Sequence, residues 1–113
     1  MQLSVVIPVK NEADNIVPLV EEVEAALAGR FDFEILVVDD GSTDATGDRL
    51  KAAKARLPRL RLIRHAANRG QSAGVWTGVK RARGEWIATL DGDGQNDPRS
   101  EEHTSELQSR LHL

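Results

Sequence analysis

Four short apolar runs, separated by segments of helical periodicity, constrain the fold of this chain most strongly. The runs are Leu3–Pro8, Phe33–Val38, Leu60–Ile63 and Glu85–Leu90, and the first two are almost continuous in Val, Ile and Leu. Such runs are typical of parallel strands that are covered on both faces. Since crossovers between parallel strands are right-handed, the pattern predicts an α/β fold, an open and mostly parallel sheet with flanking helices.

The three segments between these runs carry apolar residues at the spacing of amphipathic helices. The first helix is predicted to include Ile16 and to end near Gly29, with Pro18 in its first turn, where the missing N–H costs nothing. The second is predicted to stop at Pro58 and the third at Gly84. The expected order of elements is therefore βαβαβαβ.

Composition excludes several classes of protein. The chain has 113 residues, no cysteine and a net charge of −3, which excludes disulfide scaffolds and Cys-ligated metal and argues against a nucleic-acid partner. No apolar run approaches the ~18–20 residues that span a bilayer, and the first residues lack the basic start of a signal peptide. We therefore expect a soluble, cytoplasmic chain.

Polar clusters follow three of the predicted strands, at residues 8–12, 39–44 and 91–98. The carboxyl ends of parallel strands meet at one edge of a sheet, and ligands of open α/β sheets bind in the crevice beyond that edge. We therefore expect the three clusters to converge on one site.

The third cluster contains two carboxylates, Asp91 and Asp93, separated by Gly92. The glycine permits a turn that lets both carboxylates reach one cation, and Mg²⁺ commonly takes one or two protein carboxylates together with water and phosphate oxygens. A simple Asp-Gly turn is the alternative for this pair, and helix capping is the alternative for Asp39 and Asp44. The second acidic cluster favours the metal interpretation, because clustered carboxylates repel one another without a cation or hydrogen-bond donors.

The start of the third predicted helix is rich in small residues. Gly70 suits an irregular backbone and Ser72 is a candidate cap, which would leave N–H groups free for an anion. The alternative is an ordinary helix start with a solvated Arg69. The sequence contains neither a dinucleotide-binding glycine fingerprint nor a phosphate loop, and Gly74 and Gly78 are predicted to allow close packing of the helix on the sheet.

Histidine and tryptophan residues are assigned no chemistry. His65 follows the third strand and is predicted to lie at the surface or at an edge. Trp76 and Trp86 are predicted to pack in the core or at its rim. His103 and His112 lie near the end of the chain, so a histidine metal site is not expected.

Four ordered motifs resemble those of the family 2 glycosyltransferases, which have the Rossmann-like GT-A fold. They are VVIPVKNE at residues 5–12, VVDDGSTD at 37–44, NRGQSAG at 68–74 and LDGDGQNDP at 90–98. The last motif looks most like the subgroup that includes dolichyl-phosphate mannosyltransferase and bacterial undecaprenyl-phosphate relatives. That subgroup moves a sugar from a nucleotide donor to a polyprenyl phosphate, with inversion expected by direct displacement.

The resemblance implies that the first two motifs bind a GDP- or UDP-linked sugar donor. Pro8, Lys10 and Glu12 would line the nucleotide pocket, although Lys10 replaces the aromatic residue often found there. Asp39 and Asp40 would contact the base and the ribose.

The resemblance also implies that the last motif binds a divalent metal against the donor diphosphate. Asp91 and Asp93, with Gly92 between them, would hold Mg²⁺ or Mn²⁺, and Gln95 is a candidate further ligand. The metal would act as a Lewis acid. The acceptor would be a polyprenyl phosphate or a glycan, and its binding residues, with any catalytic base, are expected beyond Pro98.

The end of the chain follows a different pattern. Residues 99–109 resemble the translation of a common sequencing adapter, whereas the alternative is an ordinary polar tail or a surface helix. We therefore expect residues 1–98 to be part of a glycosyltransferase 2-like domain and residues 99–113 to be a non-native tail. On this interpretation the chain holds only the donor and metal half, is inactive alone, and contacts a membrane only as part of a longer protein.

A phospho-receiver signalling domain is the first rival interpretation, with Asp39, Asp40 and Asp91 as its acidic site. A strand at Leu3–Pro8 precedes the acid pair, however, where such a domain should begin, and no later strand with a lysine follows. This interpretation is disfavoured.

A calcium-binding loop is the second rival interpretation. Acidic or amide residues lie near five ligand positions of an EF-hand loop: Asp91, Asp93, Gln95, Asp97 and Glu102. Asn96 occupies the position that requires glycine, and a strand precedes the loop, so this interpretation is also disfavoured.

Overall fold

A parallel sheet of four strands, with helices on both faces, accounts for all the regular structure that the computed structural model describes, which is residues 1–92. The strands are β1 (Leu3–Val9), β2 (Phe33–Asp39), β3 (Leu60–Arg64) and β4 (Trp86–Thr89). The helices are α1 (Ile16–Leu27), α2 (Thr46–Lys54) and α3 (Gln71–Arg81). The strand order is β3-β2-β1-β4, which confirms the predicted βαβαβαβ order and the α/β class.

The central strands are buried on both faces, as their apolar sequences predict. Every residue of β1 and β2 is buried. In the register of the sheet, Val5 lies between Ile35 on β2 and Ala88 on β4. These three residues belong to the main hydrophobic core, which also contains the buried faces of α1 and α2. The opposite face of the sheet is covered by α3.

Glycines bring α3 close to the sheet. A Cβ atom added at Gly78 would lie 2.3 Å from Val6 Cγ1, and one added at Gly74 would lie 3.0 Å from Pro8 Cβ. Both glycines are buried. The prediction of close helix–sheet packing is therefore confirmed, and this packing holds the first turn of α3 beside the end of β1.

A buried carboxylate ties the amino ends of the strands to the segment after α3. Glu34 accepts hydrogen bonds from the Ser4 hydroxyl and from the Arg83 backbone N–H, and it forms an ion pair with Arg61. The Gly84 N–H donates to Ser4 Oγ at 2.8 Å. Burial alone would raise the pKa of Glu34, but the hydrogen bonds and the arginine outweigh it and hold that pKa below its ordinary value.

Three local expectations can be compared with the structure. Pro18 occupies the first turn of α1, as predicted. The backbone of Gly70, at φ 99°, precedes α3, and no side-chain cap is present there, so the predicted capping role of Ser72 is wrong. Trp76 and Trp86 are 64% and 57% exposed, so neither is a core residue.

None of the three helices in residues 1–92 is both long enough and apolar enough to cross a bilayer.

Candidate functional site

A cavity of about 230 Å³ lies at the carboxyl edge of the sheet. Its walls come from the ends of β1, β2 and β4 and from the segment that leads into α3. The lining residues are Pro8, Val9, Lys10, Asp40, Asn68, Gly70, Gln71 and Asp91. The first two polar clusters and the beginning of the third therefore converge as predicted, while residues 93–98 of the third lie outside the described residues.

Asp40 is held on the cavity wall by three donors. Its Oδ1 accepts from His65 Nδ1 and from the Arg69 N–H, and its Oδ2 accepts from the Gly70 N–H, each at 2.8 Å. Burial by itself raises the pKa of Asp40, yet these hydrogen bonds hold it below the ordinary value, so the group is a carboxylate at neutral pH. In the described residues Oδ2 accepts one hydrogen bond, and a carboxylate oxygen can accept a second.

His65 lies behind Asp40. It is only 7% exposed, and its Nε2 lies 2.8 Å from the Thr77 hydroxyl on α3. His65 is therefore not a surface residue, although β3, the strand that it follows, is an edge strand of the described sheet, as the other part of the prediction has it. A histidine directly after a strand carries no local signal for this position, because both of its partners are distant in sequence.

Asn11 joins the loop after β1 to the loop after β2. Its backbone adopts φ 53°, a left-handed conformation that asparagine tolerates better than most residues. Its side-chain oxygen accepts from the Thr43 N–H at 2.8 Å, and its own N–H donates to Ser42 Oγ at 2.8 Å. These bonds link the loop that carries Lys10, a residue of the cavity wall, to the loop that follows Asp40.

Asp44 stabilises the start of α2. Its Oδ1 accepts from the hydroxyl and the N–H of Thr46, and these bonds lower the pKa of Asp44. The Thr46 hydroxyl also accepts from the Glu12 N–H at 2.9 Å. These contacts favour the structural alternative for Asp44, a role at the start of a helix, over a role in binding.

Asp39 does not line the cavity. Its side chain is fully buried, Oδ1 accepts from the Ser42 N–H at 3.0 Å, and Oδ2 has no hydrogen-bond partner in the described residues. A Cβ atom added at Gly47 would lie 3.3 Å from that Oδ2, so the side chain faces α2. Because successive strand residues face opposite sides, Asp39 and Asp40 diverge.

The predicted site residues of the first motif also differ in whether they line the cavity. Pro8 and Lys10 line the cavity. Glu12 does not: its carboxylate accepts from the Asn15 side chain at 3.0 Å at the start of α1. The Glu12 N–H bonds the Thr46 hydroxyl and its carboxylate bonds Asn15, so Glu12 joins the starts of α1 and α2.

Asp91 lies on the cavity wall after β4. Gln71, the first residue of α3, donates from Nε2 to Asp91 Oδ1 at 2.6 Å. Gly92 is buried, and a Cβ atom there would lie 2.8 Å from the Pro8 carbonyl oxygen, so a glycine is needed for this close approach. The predicted metal ligands Asp93 and Gln95 lie outside the described residues.

Within residues 1–92, no group of three or more His, Cys, Asp or Glu side chains is arranged to hold a metal ion. Asp39, Asp40 and Asp91 in particular do not form one cluster, since Asp39 faces α2. The receiver-like arrangement of these three residues is therefore not formed.

Four residues at the site carry no individual sequence signal for their role. Asn68 and Gln71 line the cavity, and His65 and Thr77 support Asp40. The motif at residues 68–74 pointed to the first two as part of a binding segment. The contacts of the other two depend on how α3 lies beside the segment that follows β3.

Comparison with known proteins identifies the family. Residues 4–108 match the model of Glycosyl transferase family 2. Dodecaprenyl-phosphate galacturonate synthase of Rhizobium johnstonii is 43% identical over 97% of this chain and 33% of its own length. Dolichol-phosphate mannosyltransferase of Pyrococcus furiosus is 36% identical over 87% of this chain and 27% of its own length.

A solved structure agrees in fold. A mannosyltransferase of Pyrobaculum calidifontis, determined in complex with GDP-Man and Mn²⁺, is 25% identical and superposes with a TM-score of 0.76, covering 93% of this chain and 31% of that one. The chain thus spans about a third or less of the length of each of these relatives. The match over residues 4–108, the GT-A topology and the identity to curated relatives show that this chain belongs to Glycosyl transferase family 2.

Proposed function

We propose that this chain binds the nucleotide part of a sugar donor and acts in the transfer of that sugar to a polyprenyl phosphate. The observation that carries the proposal is the position of Asp40 and Asp91 on the walls of one cavity, in a chain of family 2. Membership of family 2 argues against the two rival interpretations, a receiver domain and a calcium-binding loop.

The donor side of the site is assigned to the nucleoside. Asp40 lines the cavity as a carboxylate whose Oδ2 accepts only one hydrogen bond in the described residues, which suits an N–H or O–H donor of a base or ribose. Pro8 supplies an apolar wall, and Lys10 is an exposed cation at the rim, suited to a phosphate. Donors linked to GDP or to UDP both fit this chemistry.

The metal is assigned to the end of the cavity at Asp91. Gln71 occupies only Asp91 Oδ1, so Oδ2 has no partner in the described residues and is free to bind Mg²⁺ or Mn²⁺. One or two carboxylates suffice for such ions when phosphate and water complete the shell, and Asp93 and Gln95 are the candidates to join Asp91. When bound, the metal would supply Lewis-acid stabilisation of the departing diphosphate.

The acceptor and the location are inferred from the relatives. Two of them act on dodecaprenyl and dolichol phosphates by name, so we assign a polyprenyl phosphate acceptor at the cytoplasmic face of a membrane. A phosphate acceptor is already anionic and needs less help from a general base than a hydroxyl does. We retain residues 1–98 as part of the transferase domain and residues 99–113 as a non-native tail in this proposal.

Nucleotide binding tests the proposal directly. We would measure the affinity of the chain for GDP and for UDP by calorimetry, with Mn²⁺ and with EDTA. Binding is expected to require Mn²⁺, and Asp40→Asn and Asp91→Asn should each weaken it at least tenfold. Asp48→Asn, at an exposed position on α2, is the control and should bind as the parent chain does. Affinity that is unchanged in both site variants would refute the assignment.

A further inference from the structure

We propose that His65 is a positioning residue, which holds Asp40 in the orientation that orders residues 68–71 on the cavity wall. His65 is not among the residues that line the cavity, so it acts on a ligand only through Asp40. The ligand part of this inference rests on the proposed function, whereas the ordering part does not.

The contacts of the imidazole define its hydrogen positions. An ionised Asp40 only accepts hydrogen bonds, so the hydrogen of the bond between His65 and Asp40 belongs to Nδ1. In the neutral imidazole Nε2 is then an acceptor, and the Thr77 hydroxyl donates to it. His65 therefore connects the end of β3, the end of β2 and the middle of α3.

Asp40 in turn holds the segment that precedes α3. Its two oxygens accept the consecutive N–H groups of Arg69 and Gly70. The Gly70 carbonyl in turn accepts the first helical hydrogen bond of α3, from Gly74. Next in the chain is Gln71, which bonds Asp91. A change in the orientation of Asp40 is thus expected to affect both ends of the cavity.

His65 donates to the same Oδ1 as the Arg69 N–H, and in the described residues it is the only side chain that donates to Asp40. Residues 66–70 are exposed and have no regular structure. The backbone of Ala67 and Asn68 packs closely on Gly41, and the Gly70 N–H also donates to Asn68 Oδ1 at 3.2 Å, so the Arg69 N–H is the group that depends most on Asp40. Without the imidazole, Asp40 would lose a charge-assisted donor at a buried position, and the two N–H groups would lose a fixed acceptor.

Two variants separate a positioning role from a general structural one. His65→Ala removes both contacts, whereas His65→Asn keeps an N–H donor near the position of Nδ1 and loses only the contact to Thr77. The first measurement is amide hydrogen exchange of Arg69 and Gly70, compared with core amides such as those of Val5 and Ile35. The second is the affinity for GDP and for UDP with Mn²⁺.

In His65→Ala we expect exchange at Arg69 and Gly70 to accelerate at least tenfold more than exchange in the core, and nucleotide affinity to fall by a similar factor. In His65→Asn we expect both values to return most of the way to those of the parent chain. Uniform acceleration in loop and core, or no rescue by asparagine, would overturn the proposal.

A third variant tests the proposal if His65→Ala does not fold. Thr77→Val removes the partner of Nε2 and leaves Asp40 untouched. It should accelerate exchange at Arg69 and Gly70 about threefold more than in the core, and an unchanged local rate would overturn the proposal. If the parent chain binds neither nucleotide, the proposed function fails, while the exchange rates still decide the role of His65.

Discussion

The Cα of Gly78 lies so close to Val6 that a Cβ added to the glycine would be 2.3 Å from Val6 Cγ1. This contact sets the distance between α3 and the sheet. It therefore also sets the position of the first residue of α3, Gln71, which lines the cavity.

Gly78→Ala is expected to destabilise the chain by about 1–3 kcal/mol, because the methyl group overpacks a buried interface and this outweighs the better helix propensity of alanine. Urea unfolding measures the loss. Ser72→Ala, at an exposed position on the same helix, is the control and should not destabilise. In the double variant, Val6→Ala makes room for the methyl group added at position 78. The loss of stability of the double variant should therefore be smaller than the sum of the losses of the two single variants. Simple additivity would contradict the packing explanation.

Glu34 should make the stability of the chain depend on acid pH. Its pKa is lowered in the folded state, so the unfolded state binds the proton more readily and stability falls as pH drops below the ordinary glutamate pKa of about 4.3. Glu34→Gln should cost roughly 2 kcal/mol at pH 7 and should flatten this dependence between about pH 5 and pH 3.

The measurement is the free energy of unfolding as a function of pH for Glu34→Gln and for the control Glu85→Gln, whose carboxylate is exposed. The control should follow the parent curve. Equal acid sensitivity in Glu34→Gln and the parent chain would show that Glu34 is not the source.

Asn11 separates a backbone effect from a hydrogen-bond effect. Asn11→Gly tolerates φ 53° but loses the acceptor for the Thr43 N–H, so it should cost about 1 kcal/mol. Asn11→Ala loses the same acceptor and adds left-handed strain, so it should cost about 1 kcal/mol more. Asn11→Asp keeps an acceptor and should be close to the parent. Denaturant unfolding ranks the three, and alanine at or below glycine in cost would be inconsistent with the strain.

Gln71 is expected to orient Asp91 for metal. Gln71→Leu removes the donor to Asp91 Oδ1 at similar side-chain size. The expected result is a roughly tenfold weaker Mn²⁺-dependent affinity for nucleotide, at the low end for loss of a group that supports a metal ligand. Calorimetry with and without Mn²⁺ checks this, with Ser72→Ala as the matched control. An Mn²⁺-dependent affinity equal to that of the parent chain would contradict this role of Gln71.

The sequence was sufficient for the fold because the signals of the fold are local. Continuous apolar runs identified β1 and β2, and the periodicity around Leu19 and Val23 identified α1. The carboxyl-edge rule located the site, since it depends only on strand direction.

The internal arrangement of the site depended on contacts that are distant in sequence. The motif at residues 37–44 does not by itself distinguish Asp39 from Asp40, although the alternation of side chains along a strand indicates that only one of them faces α3. Nothing near His65 in sequence indicates its burial or its contact with Asp40, 25 residues away. The exposure of Trp76 likewise follows from Gly74 and Gly78 occupying the inner face of α3.

The carboxylate of Glu34 and the cavity lie at opposite ends of the same strands. Substitutions around Gly84 and Ser4 should therefore reduce how much folded protein a cell accumulates, whereas substitutions at Asp40 should reduce how often the folded protein carries a nucleotide. A screen that scores only one combined phenotype would confuse the two groups. Measuring abundance and occupancy separately would sort variants by the end of the sheet at which they lie.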